Sequence, residues 1–411
     1  MRLDTSLCLM CRGRGLCGLS YCPVLARARA TLKLREVSLS PLVEGSSPPS
    51  VFVGRIGYPY VRAGPSAPPL SGDTTLFDYP ERWANLSIED ILEYRWSLVT
   101  GFKVVNAKNP WDKVLDEARL MVLSSKPVDV QLILEKRPRP LITFNEHEPP
   151  QGPRAPLTGL RIVGNPSIPR PLERAYYDTD LQASQAVIYL YSSGIPVSHI
   201  QKAFSLGSFG LGKNRRLVPT RWSITAVDSV LCKYVLGEVK EYEPLSEILV
   251  FEYRVHDNLF IGVLYPSRWS YEWLEAWWPG STWNPSSANV AVEGDYEDYF
   301  GRTTYPGIGG CYYASMLATL EYLRSIKRQS TAILFREIYP GFNLPIGVWF
   351  VRESCREMFR RGPTLRASSL REVCEYLNRS TRLGCTKWFT SSTLIKRVSA
   401  TRRLEEFFRR H

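Results

Sequence analysis

Four cysteines near the amino terminus have the spacing of a metal site. Cys8, Cys11, Cys17 and Cys22 supply four thiolates, which is enough to complete a tetrahedral zinc site. Glycines between them let the backbone turn tightly around an ion. A segment this short buries no core of its own, so metal binding would supply the free energy that orders it. The pattern predicts zinc, and an iron–sulfur cluster, which also takes four thiolates, is the alternative.

A second candidate site combines arginines with a tryptophan in the middle of the chain. Arg215 and Arg216 are followed closely by Arg221 and Trp222. Guanidinium groups near an indole suit contact with the phosphates and bases of a nucleic acid. These four residues are therefore candidate nucleic-acid ligands. The alternative is a set of arginines that pair with acidic neighbours.

Tryptophans and acidic residues are concentrated between residues 269 and 298. Trp269, Trp273 and Trp277 fall four residues apart, which predicts one stripe of a helix that packs into the core. The acidic run at 293–298 has neither a histidine partner nor a metal-ligand spacing, so no catalytic residue is named. The alternative to a binding protein is an enzyme that acts on nucleic acid, either a nuclease or a base-directed transferase. In such an enzyme the 215–222 segment and these carboxylates would line one cleft.

The carboxyl terminus contains the pattern of a peptide that binds a sliding clamp. Leu404 is followed three residues later by the adjacent aromatics Phe407 and Phe408. In such a peptide, one short helical turn places three apolar side chains in a surface pocket of the partner. Thr401 occupies the position where glutamine is usual. The alternative is a final amphipathic turn that packs on its own domain.

The positive charge of the chain is concentrated at its two ends. The chain has 411 residues and a formal net charge of +12. Residues 1–35 carry seven Lys/Arg and one Asp, residues 352–411 carry fifteen Lys/Arg and six Asp/Glu, and the residues between them therefore have a net charge of −3. Such ends favour a polyanion as partner over the role of a uniformly basic coat protein. Arg12 and Arg14 are predicted to contact phosphate, and a solvated basic face is the alternative.

Composition predicts a globular cytoplasmic protein. Hydrophobic residues make up 44% of the chain and charged residues 22%, which is too apolar for a disordered protein. No stretch approaches the 18 or more apolar residues of a membrane span, so no membrane partner is expected. In a reducing compartment the remaining cysteines are expected to be mostly small buried side chains. They are Cys232, Cys311, Cys355, Cys374 and Cys385.

The elements that must position these residues are a mixture of helices and strands. Ser87 with Asp90, Asn109 with Pro110, and Ser369 with Glu372 are predicted helix starts. A further helix is predicted at about 311–326, and the prolines of residues 136–174 predict a long stretch without regular structure. Strands are predicted at 51–54, 127–135, 247–255, 258–265, 331–338 and 345–351, with a hairpin turn at His256-Asp257. Because the two types do not alternate regularly, the fold class is α+β, a mixed and irregular α/β body with a small N-terminal zinc module and a flexible C-terminal tail.

Together these segments resemble the archaeal Nre family of DNA repair proteins. The resemblance covers nearly the whole chain and rests on residues 8–23, 51–59, 215–228, 269–277, 301–303, 309–313 and the terminal Leu404/Phe407/Phe408 motif. It implies a role in the response to DNA damage and binding to the PCNA sliding clamp through the C-terminal PIP-like motif. It implies no particular reaction.

The resemblance also indicates how the chain is divided. The expected parts are a four-cysteine zinc module at 1–35, an N-terminal Nre domain at 36–285, a C-terminal Nre domain at 286–397 and a clamp-binding tail at 398–411. The resulting hypothesis is a DNA repair factor that the clamp brings to DNA. A zinc-containing factor that binds RNA or ribosomes would fit the basic ends equally well.

Overall fold

A computed structural model describes residues 22, 40–139, 151–281, 283–284, 287–342 and 346–400. The chain divides into two compact units. The N-terminal unit is Met1–Leu231 with Leu344–Trp349, and the C-terminal unit is Cys232–Asn343 with Phe350–His411. Both units combine a mixed β-sheet with α-helices, which confirms the predicted α+β class of the body. The predicted zinc module, apart from Cys22, and the predicted tail from residue 401 lie outside the described residues.

The N-terminal unit contains a six-stranded sheet. Its strands are β1 (Leu42–Ser47), β2 (Ser50–Val53), β3 (Tyr60–Ala67), β4 (Val99–Asn106), β5 (Val128–Leu134) and β6 (Arg154–Ile162). Their order is β1-β5-β6-β4-β3-β2, and β4 with β6 is the parallel pair. The predicted strands at 51–54 and 127–135 are confirmed as β2 and β5.

One face of this sheet is buried and the other carries exposed side chains. Val53, Val61, Ala63, Leu132 and Leu157 are buried on the first face, where the helix α2 packs against β3 and β6. Along β5, buried and less buried residues alternate, as expected for a sheet that covers a core on one side.

Six helices accompany this sheet in the described residues. They are α1 (Ile88–Ser97), α2 (Lys113–Val122), α3 (Arg170–Tyr177), α4 (Ala183–Ser192), α5 (Val197–Ser205) and α6 (Thr220–Val239), which contains the boundary between the units. The Ser87–Asp90 capping box of α1 is confirmed. The predicted start of α2 at Asn109-Pro110 is wrong, because the Asp112 side chain accepts the amide hydrogens of Val114 and Leu115 and begins the helix there.

Regular structure occurs within 136–174, where the prolines predicted none. The strand β6 contains Pro156, and α3 begins at Arg170. Pro156 contributes its carbonyl oxygen, which accepts a hydrogen bond from the Glu135 amide at 2.9 Å. Proline can occupy a strand position that requires only an acceptor, so the prediction for this stretch is wrong in part.

The C-terminal unit contains a second six-stranded sheet. Its strands are β7 (Ile248–Val255), β8 (Asn258–Tyr265), β9 (Ser270–Trp277), β10 (Ala291–Glu297), β11 (Thr331–Ile338) and β12 (Leu365–Ala367). Their order is β10-β9-β11-β8-β7-β12, with β9 and β11 parallel. The predicted hairpin of β7 and β8 is confirmed, and His256 and Asp257 have the positive φ values of 48° and 54° that its two-residue turn requires.

Five further helices belong to this part of the described chain. They are α7 (Cys311–Ser325), α8 (Trp349–Arg360), α9 (Leu370–Ser380), α10 (Cys385–Ser391) and α11 (Thr393–Ala400). The predicted helix at 311–326 is confirmed as α7, and Ser369 caps α9 through the Glu372 amide. The strand predicted at 345–351 is wrong, because α8 begins at Trp349 and its buried residues, including Phe350, Val351 and Met358, follow the helical period.

The tryptophans at 269–277 lie on and beside a strand. The predicted helix is wrong, because residues four apart lie on one side of a β-strand as well as on one side of a helix. The predicted burial is confirmed for Trp269 and Trp273, which are 1% and 0% exposed.

Two cysteines of the C-terminal unit form a disulfide. Cys374 in α9 is bonded to Cys385, the first residue of α10, and their Cα atoms are 5.1 Å apart. Cys232 and Cys355 are buried thiols, as predicted, whereas the prediction is wrong for the bonded pair. The short connection between the two helices brings the cysteines within bonding distance, which their spacing in the sequence does not show.

Candidate functional site

The candidate site is built around the loop that joins β2 to β3. Residues 54–59 form this loop, and the side chains of Arg55, Ile56 and Tyr58 are exposed. The Tyr60 amide donates to the Gly57 carbonyl at 2.9 Å, and the Gly54 amide donates to the Arg62 carbonyl at 2.8 Å. The loop is therefore a tight connection held by its own backbone.

Backbone hydrogen bonds join this loop to two segments that are distant in sequence. The Ala107 amide, just after β4, donates to the Pro59 carbonyl at 2.7 Å. The Leu217 amide donates in turn to the Ala107 carbonyl at 2.9 Å. Because these bonds run through three segments, residues 215–222 lie beside the β2–β3 loop.

Trp222 contacts this loop through Tyr58. The two ring centroids are 5.3 Å apart, and the residues are 45% and 38% exposed. Trp222 lies in the first turn of α6. This turn is connected to β2, because the Thr220 hydroxyl accepts a hydrogen bond from the Val53 amide at 3.0 Å. An exposed aromatic pair is thus formed from two of the segments that carry the family resemblance. Sequence reasoning named Trp222 but missed Tyr58.

The three arginines predicted with Trp222 have different surroundings. The Arg215 guanidinium donates to the carbonyls of Gly210 and Asp178 at 2.9 and 2.8 Å and lies 5.8 Å from the Tyr176 ring, so it stabilises the turn before α6. Arg216 is exposed on the same turn, and Arg221 is exposed in the first turn of α6. The structure therefore places Arg216, Arg221 and Trp222 at the surface, with Arg215 behind them.

The exposed face of the first sheet continues from this loop. We call it the open face and define it by Phe52, Tyr60, Arg62, Phe102, Val104 and Arg154. The β3–β4 register places Arg62 opposite Val104, and the Arg62 guanidinium lies 5.3 Å from the Phe102 ring centroid. Arg154 lies 5.2 Å from the ring of Phe52 in the same way. Tyr60 and Val104 are 61% and 63% exposed.

The segments that form this surface contain cations and no carboxylates. Residues 50–67, 99–108, 154–162 and 206–227 together contain ten Lys/Arg and no Asp or Glu. One of the ten, Lys103, forms an ion pair with Asp112 at 2.6 Å. Sequence reasoning missed this concentration of charge because the segments are far apart in the chain and only the sheet topology brings them together.

The acidic residues at 272–298 in the C-terminal unit do not form one site. Glu275 pairs with Arg336 at 3.0 Å, and the three groups that donate to Glu272 are the Ser392 hydroxyl and the amides at the start of α11. Asp298 pairs with Arg397. No group of three or more potential ligands for a metal ion, among His, Cys, Asp and Glu, occurs in the described residues.

Burial raises the pKa of Glu272, and two more of these carboxyl groups have shifted pKa values with local causes. Burial raises the pKa of Glu297, which accepts hydrogen bonds from the Trp269 indole and the Tyr312 hydroxyl. Burial also acts to raise the pKa of Asp295, but hydrogen bonds from Arg302 and the Gly307 amide hold it below its usual value. Burial and these contacts account for the shifts of Glu297 and Asp295, and the contacts show that the two carboxyl groups act as local hydrogen-bond acceptors. The 215–222 segment belongs to the N-terminal unit.

The other predicted site residues are near the two ends of the sequence. Cys8, Cys11 and Cys17, with Arg12 and Arg14, lie outside the described residues, and Cys22 is described alone. Thr401, Leu404, Phe407 and Phe408 lie beyond α11, which ends at Ala400. No helix in the described ranges is both long enough and apolar enough to cross a membrane.

Comparisons with known proteins match almost the whole chain. The family model described as "Archaeal Nre, N-terminal" matches residues 16–284, and "Archaeal Nre, C-terminal" matches residues 297–407. "DNA repair protein NreB" of Archaeoglobus fulgidus is 46% identical over 390 residues, which are 95% of this chain and 97% of that protein. No solved structure matches the chain.

Two further relatives agree with these matches. "DNA repair protein NreA" of the same organism is 37% identical over 87% of this chain and 89% of its own length. "DNA repair protein NreA" of Haloferax volcanii is 36% identical over 81% of this chain and 82% of its own length. Because both family models and all three relatives align along most of its length, this chain belongs to the archaeal Nre family.

Proposed function

We propose that this protein is a DNA repair factor that the PCNA sliding clamp recruits to DNA. The observation that carries the repair role is the 46% identity, along almost the full length of both chains, to a relative named a DNA repair protein. The two relatives named NreA carry the same description. Recruitment by the clamp rests on the sequence of the last eleven residues.

The clamp-binding peptide is Thr401, Leu404, Phe407 and Phe408. In the sequence, the peptide directly follows α11, which ends at Ala400. Each apolar side chain that enters a pocket contributes about 1.5 to 3 kcal/mol, so three of them suit a reversible interaction. Thr401 retains a hydroxyl for a hydrogen bond where glutamine is usual.

Binding of the full-length protein to PCNA tests this proposal. The triple variant Leu404→Ala/Phe407→Ala/Phe408→Ala should bind at least about a hundredfold more weakly, because it loses all three apolar contacts. Calorimetric titration measures both affinities. Glu405→Ala/Glu406→Ala is the matched control, since it changes the same turn and keeps the three apolar side chains. Equal affinity of the wild-type protein and the triple variant would contradict the proposal.

We propose in addition that Cys8, Cys11, Cys17 and Cys22 bind one zinc ion. Elemental analysis of the purified protein should find about one zinc per chain, and Cys11→Ser should lose it because the site requires four ligands. Cys311→Ser is the control, since Cys311 begins α7 in the C-terminal unit. A brown protein that contains iron and absorbs visible light would show an iron–sulfur cluster instead.

Contact with DNA is the remaining part of the proposed function. Arg12 and Arg14 would contact phosphates from the zinc module. Arg216, in the turn before α6, and Arg221, in its first turn, would do the same, and Trp222 beside them would contact a base. The exposure of the last three residues supports their part in this proposal. Arg215 would act indirectly, through the hydrogen bonds that fix the turn.

A further inference from the structure

We propose that the open face of the first sheet, together with the Tyr58–Trp222 pair at its end, binds single-stranded DNA. Bases would stack on the exposed rings while phosphates contact the guanidinium groups between them. The inference rests on the proposed role in DNA repair and identifies the form of nucleic acid that this surface recognises.

The exposed rings lie at neighbouring positions on β3, in the loop before it and at the start of α6. Tyr60 and Arg62 are two residues apart on β3, so their side chains stand on the same side of the sheet about 7 Å apart. Tyr58 precedes them in the adjoining loop and contacts Trp222 at 5.3 Å between ring centroids. An exposed ring offers its face to any base, since every base has a π surface.

The two arginines of the open face are oriented before any ligand binds. Arg62 lies over Phe102 and Arg154 over Phe52, at 5.3 and 5.2 Å from the ring centroids. A guanidinium held over a ring loses less side-chain freedom when it donates to a phosphate. Arginines that alternate with exposed aromatic rings are suited to bind a single strand of nucleic acid, in which both the bases and the phosphates are accessible.

The distribution of charge limits where the strand can lie. The four segments that form the surface contain ten Lys/Arg and no carboxylate, although the chain as a whole has 52 Lys/Arg and 40 Asp/Glu. Carboxylates appear at the opposite edge of the sheet, where β1 carries Glu44 and β5 carries Asp129. The part of the sheet whose charge is complementary to a polyanion is therefore formed by β2, β3, β4 and β6.

Base stacking distinguishes single strands from a duplex. In a duplex the faces of the bases are covered by their neighbours, so exposed rings on a protein reach them only after unstacking. A surface with exposed rings should therefore favour a single strand, whereas a surface of arginines alone would favour the more highly charged duplex.

Fluorescence anisotropy with a labelled twenty-residue oligothymidylate tests the aromatic part of the proposal. Tyr58→Ala/Trp222→Ala in the full-length protein should weaken binding at least about tenfold, because each stacked ring contributes more than a factor of five. Trp222→Phe keeps a stacking face and should retain most of the affinity. Phe300→Ala removes a ring that is 94% exposed in the C-terminal unit and should leave binding unchanged.

The salt dependence of the same binding tests the charged part. Arg62→Gln should reduce the slope of log K against log salt by about 0.7, the value for one phosphate contact with a single strand. Lys233→Gln, which removes an exposed charge from the C-terminal unit, should leave the slope unchanged. An equal slope for the wild-type protein and Arg62→Gln would remove that arginine from the site and overturn the proposed phosphate contacts.

Three results would overturn the inference as a whole. They are equal affinity of the wild-type protein and Tyr58→Ala/Trp222→Ala, tighter binding of a duplex than of the single strand, and tighter binding of oligouridylate than of oligothymidylate, which would assign the surface to RNA. PCNA binding is measured on the same variants. If the tail still binds the clamp while the open face binds no single strand, the inference fails and the proposed recruitment stands. If the open face binds the single strand while the tail does not bind the clamp, the proposed recruitment fails and the inference stands.

Discussion

His199 is a buried histidine that makes the N-terminal unit sensitive to pH. It lies in α5, and its Nε2 donates to the Val122 carbonyl at 2.6 Å. Burial and, to a smaller extent, nearby Lys202 lower the pKa of His199 to about 4, although the Val122 carbonyl and Glu81 oppose the shift. Protonation would place an unfavourable charge in the core, so the side chain acts as a neutral hydrogen-bond donor.

The stability of the protein should therefore fall as the pH is lowered from 6.5 to 4. In this range the unfolded chain, whose histidine has a pKa near 6.5, binds more protons than the folded chain. The contribution of His199 is complete above pH 6.5, and about 3 kcal/mol is lost by pH 4. Chemical denaturation at several pH values measures the effect. His199→Gln keeps a donor for Val122 and should show a flatter profile, and identical profiles would contradict the assignment.

Neighbouring residues of the same type have different roles in the turn before α6. Arg215 donates to two backbone carbonyls, whereas Arg216 is exposed. The sequence marked both as candidates because a guanidinium suits phosphate as well as it suits a carbonyl. Arg215 has a structural role because the carbonyls of Gly210 and Asp178 lie next to its guanidinium, whereas the exposed Arg216 can reach a ligand.

Among the elements, α9 and α10 are joined by the Cys374–Cys385 disulfide. The bond closes a loop of 11 residues beside the core of the C-terminal unit, where Leu377 and Trp388 are fully buried. A closed loop of this length restricts the unfolded chain and stabilises the folded one by about 3 kcal/mol at most.

Removing this disulfide should lower the unfolding free energy by about 2 to 3 kcal/mol. Denaturation of Cys374→Ser/Cys385→Ser under oxidising conditions measures the loss, and a reductant should produce a similar loss in the wild-type protein. The same reductant should leave the stability of the double variant unchanged, which serves as the control. A double variant as stable as the wild-type protein would show that the bond restricts nothing in the unfolded chain.

At the scale of the whole molecule, 32 of the 52 basic residues occur in three parts of the sequence. Residues 1–35 have a net charge of +6, residues 352–411 have +9, and the four internal segments of the N-terminal unit contain ten more Lys/Arg, of which Lys103 pairs with Asp112 and Arg215 donates to backbone carbonyls. The summed charge of the residues between the ends is −3, which conceals this internal surface. Net charge over a long stretch is therefore a poor guide to a local site.

Deletion of residues 1–35 should reduce the salt dependence of binding to duplex DNA. The slope of log K against log salt should become less steep by about 0.9 for each phosphate that this segment contacts. Electrophoretic or anisotropy titrations from low to moderate salt measure the slope. Deletion of residues 401–411, which removes a net charge of only +2, is the control and should change it less. An unchanged slope after the first deletion would place the DNA contacts elsewhere.

Local signals were sufficient for several elements and for the family. The capping box at Ser87, the hairpin turn at His256-Asp257 and the strands at 128–134 and 331–338 were predictable because neighbouring residues determine them. The motifs at 51–59 and 215–228 identified the family because long and unusual strings carry that information. The cysteine cluster and the clamp-binding peptide stay predictions, and they too depend only on short-range spacing.

Long-range contacts determined the rest. A four-residue spacing fits one side of a strand as well as a helix, so only the pairing of β9 with β10 and β11 decided the structure around Trp273. Pro156 could join a sheet because its position requires an acceptor alone. The open face exists because strands from different parts of the sequence, from β2 at residue 50 to β6 at residue 162, join one sheet, which brings scattered arginines and aromatic rings onto one surface. Spacing along the chain carries no record of that proximity, since the pairing energy comes from residues far apart in the sequence.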